Sequence, residues 1–256
     1  MGIKERQERD REAVRRAILD AARDLFVGEG YENASIRKIA ERIEYSPAAI
    51  YSYFPSKDDI FFALAEEGFR LLGDPGAAGE NERLRTLSPL DRIHAIFWRL
   101  YEFSVRHPEY FSLMFVDRHV PRIGREYERF AFVREMKRHI VDNIQACIDA
   151  GELPSTLNPE VAFRILTVGV LGVAVMSLSQ RLAPGENADL IARDVLATTI
   201  AGLRTGVALE SSGISVECPM DEMAADAHAR GRVTVQGTGL RTDVRTEARP
   251  HNQESQ

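Results

Sequence analysis

The chain has 256 residues, an apolar fraction of 44% and a formal net charge of −6. This composition is typical of a globular protein with a buried core. Because the net charge is negative, the protein cannot bind nucleic acid by an overall positive charge. DNA binding needs only local positive charge, so the acidic total does not exclude it. A charged N-terminal arm covers residues 1–12, and residues 4–16 carry six Lys or Arg and four Asp or Glu, a local excess of +2 (six minus four).

The sequence also bears on where the protein works. Its first residues contain no apolar signal peptide, and the longest apolar run, 165–178, is shorter than the roughly 20 residues that span a membrane. The two cysteines, Cys147 and Cys218, form no metal-binding or redox motif. We therefore expect a cytoplasmic protein with no membrane partner, no metal site and no cofactor.

Helical periodicity continues from the N-terminus to about Gly206 and predicts an all-α fold. The first helix has Val14, Ile18, Ala21 and Leu25 on one face, and Gly28 and Gly30 suit its C-terminal end. The next helix, 35–43, places four apolar residues at positions i, i+3, i+4 and i+7. Ser35 is a good N-cap for this helix.

A three-residue break, 44–46, separates that helix from a short one at 47–54. Ser46 can cap the short helix, and Pro47 suits its first position. Pro55 ends it, and a further helix runs from about Ser56 to Gly73. Two short helices joined by a tight turn have the proportions of a helix-turn-helix, although spacing alone also fits a hairpin in another all-α protein.

The rest of the chain is predicted to form a second helical domain. Residues 73–87 have the composition of a linker, and the domain covers 88–206. Its helices are predicted at 89–106, 109–116, 122–150, 159–181 and 188–205. Residues 207–256 are predicted to be mostly a disordered tail, with a weak strand pattern at Val233 and Val235.

The short helix suits DNA because eight helical residues span about 12 Å, which matches the width of the major groove. Ile50 can pack inward on Ile39 and Ile43. The outer face then presents small residues, which let the backbone approach base edges, and tyrosines, whose hydroxyls can donate to phosphate oxygens.

Residues 13–72 closely resemble the N-terminal DNA-binding domain of the TetR family of regulators. The resemblance rests on residues 17–26 (AILDAARDLF), Gly30-Tyr31, 35–40 (SIRKIA), 46–54 (SPAAIYSYF) and 56–60 (SKDDI). It implies DNA contacts by Ser35, Arg37, Pro47, Ala48, Ala49, Tyr51, Tyr53 and Lys57.

One departure from the family affects how bases are recognised. Many relatives place Lys, Gly or Thr where this chain has Pro47-Ala48-Ala49, and these three side chains offer only apolar contacts such as a thymine methyl group. We therefore expect specificity to depend on Arg37, Tyr45, Ser46 and the shape of the DNA.

The last two predicted helices are the candidate dimer interface. The helix at 159–181 is apolar nearly all round and must be covered on every side. In the TetR family this pair usually forms the dimer contact, which implies a homodimer on a palindromic operator. The predicted interface residues are Ile165, Val168, Leu171, Val175, Leu196, Ile200 and Leu203. The alternative is that these helices form the core of a monomer.

Aromatic residues concentrate in the middle helices. An aromatic stripe alone more often indicates core, but in a TetR-like protein this region usually encloses a ligand pocket. The resemblance therefore implies a small, mainly apolar effector of unknown identity. The candidate walls are Trp98, Tyr101, Phe111, Phe115, Tyr127 and Met136.

The resemblance implies a transcriptional repressor that the effector releases from its operator. A transcriptional activator of the same family and a helical adaptor that does not bind DNA remain alternatives. An enzyme is not expected, because the sequence has no Gly-x-Ser-x-Gly, no His-Glu-x-x-His, no phosphate-binding Gly-rich loop and no paired cysteine ligands.

Overall fold

The computed structural model describes residues 2–73, 84–121, 129–206 and residue 209. Across these ranges the protein is helical and contains no β-strand, which confirms the all-α prediction. The helices are α1 (Ile3–Glu29), α2 (Ile36–Arg42), α3 (Pro47–Tyr51), α4 (Lys57–Gly73), α5 (Pro89–Arg106), α6 (Pro108–Phe111) with a π-helical continuation at Ser112–Val116, α7 (Ala131–Asp149), α8 (Pro159–Leu178) and α9 (Ala188–Arg204).

Local signals account for most helix starts. The hydroxyl of Ser35 accepts a hydrogen bond from the backbone N–H of Lys38 at 3.2 Å, and that of Ser46 accepts one from Ala49 at 3.2 Å. Such caps satisfy N–H groups that have no partner within the helix. Helix α1 includes most of the charged arm predicted at 1–12, and residues 4–12 are exposed.

Three helix ends differ from the prediction by more than one residue. Helix α3 ends at Tyr51 rather than Phe54, and the N–H groups of Tyr53 and Phe54 both donate to the carbonyl of Ile50. Helix α8 ends at Leu178 rather than 181. The helix predicted at 122–150 begins at Ala131, and residues 122–128 lie outside the described part of the chain.

The buried side chains form two clusters, which do not follow the predicted domain boundary. The first contains the inward faces of α1–α4 and also Phe103, Tyr110, Phe111 and Leu113. The second joins α5, α7, α8 and α9. Helix α6 therefore packs with the N-terminal helices, although it follows the predicted linker in sequence.

Helix α8 differs from the other described helices in its apolar character. It is long and apolar enough, by length and composition, to cross a membrane, but only 33% of its most apolar window is buried inside the subunit. One side therefore carries apolar surface that the described part of the chain does not cover. Most of the predicted tail, 207–256, lies outside the described residues.

Candidate nucleic-acid interface and ligand cleft

The α2–α3 unit presents most of the predicted DNA contacts on one exposed surface. Ile50 is fully buried and holds α3 against α2, whereas Tyr45 and Tyr51 are about half exposed. We call the following exposed residues the recognition face: Ser35, Arg37, Tyr45, Ser46, Pro47, Ala48 and Tyr51. Ala49, Tyr53 and Lys57 are half-buried at its edge.

The turn between the two helices has a defined conformation. Glu44 adopts a left-handed backbone with φ of 60°, which is uncommon for a residue other than glycine. The N–H of the next residue, Tyr45, donates to the carbonyl of Ala40 at 2.9 Å. This turn sets the position of Tyr45 and Ser46 beside the start of α3.

Arg37 of the recognition face and its neighbour Lys38 are both paired with carboxylates of the same domain. The Nε of Arg37 donates to Glu41 at 2.9 Å, and both side chains are largely exposed. Lys38 lies 2.5 Å from Glu29 and also donates to the carbonyl of Asn33. Exposed pairs of this kind contribute little stability, so a phosphate group can replace the carboxylate.

The structure places Lys57 differently from the predicted phosphate contact. Its ammonium donates to the carbonyls of Tyr31 and Ala34, at 2.8 and 3.1 Å, and lies 4.1 Å from the centre of the Tyr31 ring. The hydroxyl of Tyr31 donates to Asp58. Because these partners belong to its own domain, Lys57 joins the start of α4 to the turn between α1 and α2.

Sequence reasoning missed the roles of Tyr31 and Asp58. Both residues stood within the segments that carried the family resemblance, but neither was assigned a contact. Burial and the hydrogen bond to Asp58 raise the pKa of Tyr31, so this hydroxyl remains a donor at neutral pH. The Gly30-Tyr31 pair next to a helix end was the signal that could have identified this position.

A group of ion pairs connects α1, α4 and α6. The Arg16 guanidinium lies 2.6 Å from both Asp20 and Glu67 and 3.4 Å from the hydroxyl of Tyr110. Arg23 also reaches Asp20, at 3.0 Å. We call Arg16, Asp20, Glu67 and Tyr110 the Arg16 network. The hydrogen bond from Arg16 lowers the pKa of Asp20, so this carboxylate stays ionised at neutral pH.

A cleft of about 1500 Å³ opens between α7 and the helices around it. Its walls come from the end of α4, the middle of α5, the π-helical segment, α7 and α8. The lining is mainly apolar, including Phe69, Phe97, Phe115 and Phe132. The cleft is large enough for a small-molecule ligand.

Two of the six predicted pocket residues, Phe115 and Met136, line this cleft. Tyr127 lies outside the described residues. The prediction was wrong for Phe111, which is fully buried between α6 and the N-terminal helices. Sequence could not reveal this, because it depends on α6 packing with α1 and α4.

Trp98 and Tyr101 are also misplaced by the prediction, because they lie on the α9 side of α5. The Tyr101 hydroxyl donates to Asp189 at 2.7 Å, and the Arg193 guanidinium stands 4.1 Å from the centre of a Trp98 ring. The α7 side of α5 instead offers Ile96, Arg99 and Leu100.

The predicted dimer residues divide into two groups. Leu196, Ile200 and Leu203 are buried in the subunit's own second cluster, so their assignment to an interface is corrected. Val168 is 63% exposed, and Ile165, Leu171 and Val175 are half-buried. Other exposed apolar side chains on α8 and α9 are Met176, Leu178 and Leu190.

Neither metal binding nor thiol chemistry is supported by the described side chains. Among the described residues, no group of three or more His, Cys, Asp or Glu side chains is placed to hold a metal ion. Cys147 is a buried free thiol in the second cluster, and burial raises its pKa to about 11. It is therefore a neutral packing group at physiological pH.

Comparison with known proteins places the N-terminal domain in a family. Residues 18–64 match the model for bacterial regulatory proteins of the tetR family. The chain is 47% identical over 55 residues to the HTH-type transcriptional repressor Rv1474c of Mycobacterium tuberculosis; the match covers 22% of this chain and 29% of the repressor. It is 25% identical over 191 residues to the HTH-type transcriptional repressor SCO4008 of Streptomyces coelicolor, covering 70% and 88%. The match thus spans less than a third of the length of curated relatives such as Rv1474c.

Solved structures share the fold over a longer stretch. The regulator FadR of Bacillus subtilis, solved with stearoyl-CoA, superposes with a TM-score of 0.58 at 15% identity, covering 73% of this chain and 97% of that one. A tetR-family regulatory protein from Rhodococcus RHA1 has a TM-score of 0.56 at 20% identity, covering 73% and 95%. The N-terminal helix-turn-helix domain of this chain is therefore of the type found in the tetR family of bacterial regulatory proteins.

Proposed function

We propose that this protein is a sequence-specific transcriptional repressor that binds an inverted-repeat operator as a homodimer and leaves it when a small molecule occupies the cleft. The observation that carries the proposal is the recognition face: two capped helices, joined by a fixed turn, expose polar and small side chains over a buried Ile50. Such a face suits the major groove. Several curated relatives that share this domain, Rv1474c among them, are named repressors.

The proposed dimer contact is the exposed side of α8 and α9. Val168, Gly172 and Met176 are spaced four residues apart and form an exposed stripe on α8, and Leu190 is exposed at the start of α9. An apolar surface of this kind favours burial against another protein. A second copy of the same face covers it in a two-fold dimer, which places two recognition faces on one operator.

The proposed coupling between ligand and DNA passes through α4. The end of this helix, including Phe69 and Leu72, lines the cleft. Its start carries Lys57 and Asp58, which hold the turn before α2. A ligand that fits the cleft only after α4 moves therefore also moves the recognition face. It favours release of DNA to the extent that it binds the DNA-incompetent arrangement more tightly.

The test is selection of fragmented genomic DNA on the purified full chain, followed by sequencing of the retained fragments. We expect an inverted repeat that the wild type enriches and that Tyr51→Ala binds about tenfold more weakly, as for loss of one charge-assisted contact. Val105→Ala, an exposed change on α5, is the matched control. Light scattering should give the mass of a dimer for the free protein.

Four outcomes bear on the proposal. Steep loss of binding with added salt supports DNA as the partner, because phosphate contacts release counterions. An enriched site without repeat symmetry, bound by a monomer, contradicts the dimer. No enrichment, including after refolding from denaturant to remove bound ligand, favours the adaptor alternative. Transcription in vitro that rises when the protein binds its operator indicates an activator.

A further inference from the structure

We infer that the cleft binds an amphipathic anion, with the acidic head group held between α7 and α8 and the apolar body directed toward α4. This inference rests on the proposed ligand-controlled function and names the class of ligand. It differs from the mainly apolar effector expected from sequence, and the difference comes from the charges that the fold collects along the cleft.

The cleft lining is positive although the whole chain is acidic. Two glutamates and six basic side chains line it, and Glu66 pairs with the lining Arg70 at 2.9 Å. The local excess is therefore +3 (six minus three), against a net charge of −6 for the chain. The six basic residues are Arg70, Arg99, Arg134, Lys137, Arg138 and Arg164. A positive, partly enclosed surface with low-dielectric walls raises the local concentration of anions.

An ion pair joins α7 to α8 at the cleft. The Nζ of Lys137 on α7 lies 2.8 Å from the carboxylate of Glu160 on α8, and that carboxylate oxygen is buried. Arg134 is one turn before Lys137, and Arg164 is one turn after Glu160, so each shares a helix face with a member of the pair. Both arginines line the cleft.

A third helix also contributes a cation to the lining. Arg99 of α5 lines the cleft. The lining arginines Arg99, Arg134 and Arg164 therefore come from three different helices. Guanidinium groups bind carboxylates and phosphates through paired N–H donors, which suits them to an acidic head group.

The opposite flank of α7 faces α4 and is mainly apolar; its one lining cation, Arg70, is paired with Glu66. The sulfur of Met136 lies against Gly73 at the end of α4, and Phe69 of α4 makes an edge-on contact with Phe115, with ring centres 6.1 Å apart. Together with Phe132, these side chains line the cleft. A ligand with its head between α7 and α8 thus has an apolar surface available for its body beside α4.

The experiment measures binding of four probes with the same twelve-carbon chain to the full-length protein, below their micelle concentrations, by calorimetry. The probes are dodecanoate, dodecyl phosphate, dodecanol and dodecyltrimethylammonium. We expect at least one of the two anions to bind tenfold or more tightly than dodecanol, and the cation to bind most weakly. The stronger of the two anions identifies the head group as carboxylate or phosphate.

Variants locate the two ends of the ligand. Arg164→Gln should weaken binding of the preferred anion about tenfold and leave dodecanol unchanged. Arg181→Gln, an exposed change beyond the end of α8, is the matched control. Phe115→Ala should weaken the anion and the alcohol by the same factor, because it removes contact with the shared apolar chain.

Equal binding of all four probes, tighter binding of the cation, or no binding of any probe overturns the inference, as does an Arg164→Gln variant that binds the anion normally. Operator binding measured in parallel separates this failure from failure of the proposed function. A protein that retains its inverted repeat but ignores the anions is still a DNA-binding regulator with a different ligand. A second Arg164 substitution, Arg164→Lys, should keep part of the affinity if charge is the cause.

Discussion

The two buried clusters of this protein are both formed by helices, but they leave different surfaces exposed. In the first, α1–α4 and α6 bury their aromatic residues against one another and leave an exposed face of small and polar side chains. In the second, α5, α7, α8 and α9 leave a cleft of about 1500 Å³ open beside α7 and an apolar stripe uncovered on α8. The first region therefore offers an outer surface for binding, whereas the second also offers an internal cleft.

The packing boundary between the two regions does not coincide with the linker predicted from sequence. Helix α6 belongs to the first cluster by packing, while α5, which precedes it directly, contributes most of its inward side chains to the second. A movement of α5 relative to α6 therefore changes the contact between the regions. Three predictions test this division, in order of decreasing effect.

The largest effect is expected at Phe111, which is fully buried in the first cluster. Phe111→Ala should lower the free energy of unfolding by about 3–5 kcal/mol, because it removes a large buried ring and leaves a cavity. Hydrogen exchange measured by mass spectrometry should rise mainly in α1–α4. The single tryptophan, Trp98, reports on the second region, so its fluorescence should respond less.

Leu196→Ala, a buried change in the second cluster, is the matched control. It should raise exchange in α5, α8 and α9 and shift the Trp98 signal. If Phe111→Ala instead increased exchange mainly in α8 and α9, the assignment of α6 to the first region would be wrong.

An intermediate effect is expected at Gly68, where α4 and α6 approach closely. A β-carbon at this position would overlap the Met114 sulfur and lie 3.2 Å from Tyr110. Gly68→Ala should therefore cost about 1–3 kcal/mol in thermal or urea unfolding, because the neighbouring side chains must move. It should also change operator affinity, since α4 carries the residues that hold the recognition face.

Gly28→Ala in α1 is the matched control, because nothing lies within 4 Å of its added carbon. It should stabilise the protein by about 0.5–1 kcal/mol through its better helix propensity. The double change Gly68→Ala with Met114→Ala should recover part of the loss. No recovery would mean that Met114 is not the obstacle.

The smallest effect concerns the Arg16 network, which joins the first helix to α4 and α6. Arg16 lowers the pKa of Asp20 below its ordinary value. A carboxylate with a lowered pKa in the folded state stabilises the protein above about pH 4, and the contribution is lost as pH falls through the lowered pKa. Because Asp20 is 44% exposed, the contribution should stay below about 1 kcal/mol.

Melting temperatures from pH 7 to pH 3 test this. Asp20→Asn should melt slightly below the wild type at neutral pH, and the gap should close as the medium becomes acidic. Asp142→Asn, at an exposed position on α7, is the control and should show no such convergence. A gap that persists unchanged at pH 3 would contradict an ionic cause.

Residues 13–72 could be predicted in detail because their signals are local. Ser35 and Ser46 cap helices through atoms three residues away, and the apolar spacing around Ile39 and Ile50 defines the inward face without reference to the rest of the chain. Interactions of this kind depend on neighbouring residues, so the helix-turn-helix and most of its exposed face followed from the order of the amino acids.

The second region was predicted less well because its helices are apolar on more than one side. Periodicity placed α5 and α9, but it could not say which apolar side meets which helix. Trp98 and Tyr101 were therefore assigned to the pocket although they face α9, and Leu196, Ile200 and Leu203 to a dimer contact although they are buried.

By itself, the sequence determined the helices, their caps and the N-terminal DNA-binding domain, since these rest on contacts between residues close together in the chain. The tertiary structure alone decided that Lys57 turns inward to Tyr31, that α6 joins the first cluster, and that arginines from α5, α7 and α8 line one cleft. Each of these depends on packing between residues far apart in sequence, and that packing selects one of several faces that the amino-acid pattern leaves open.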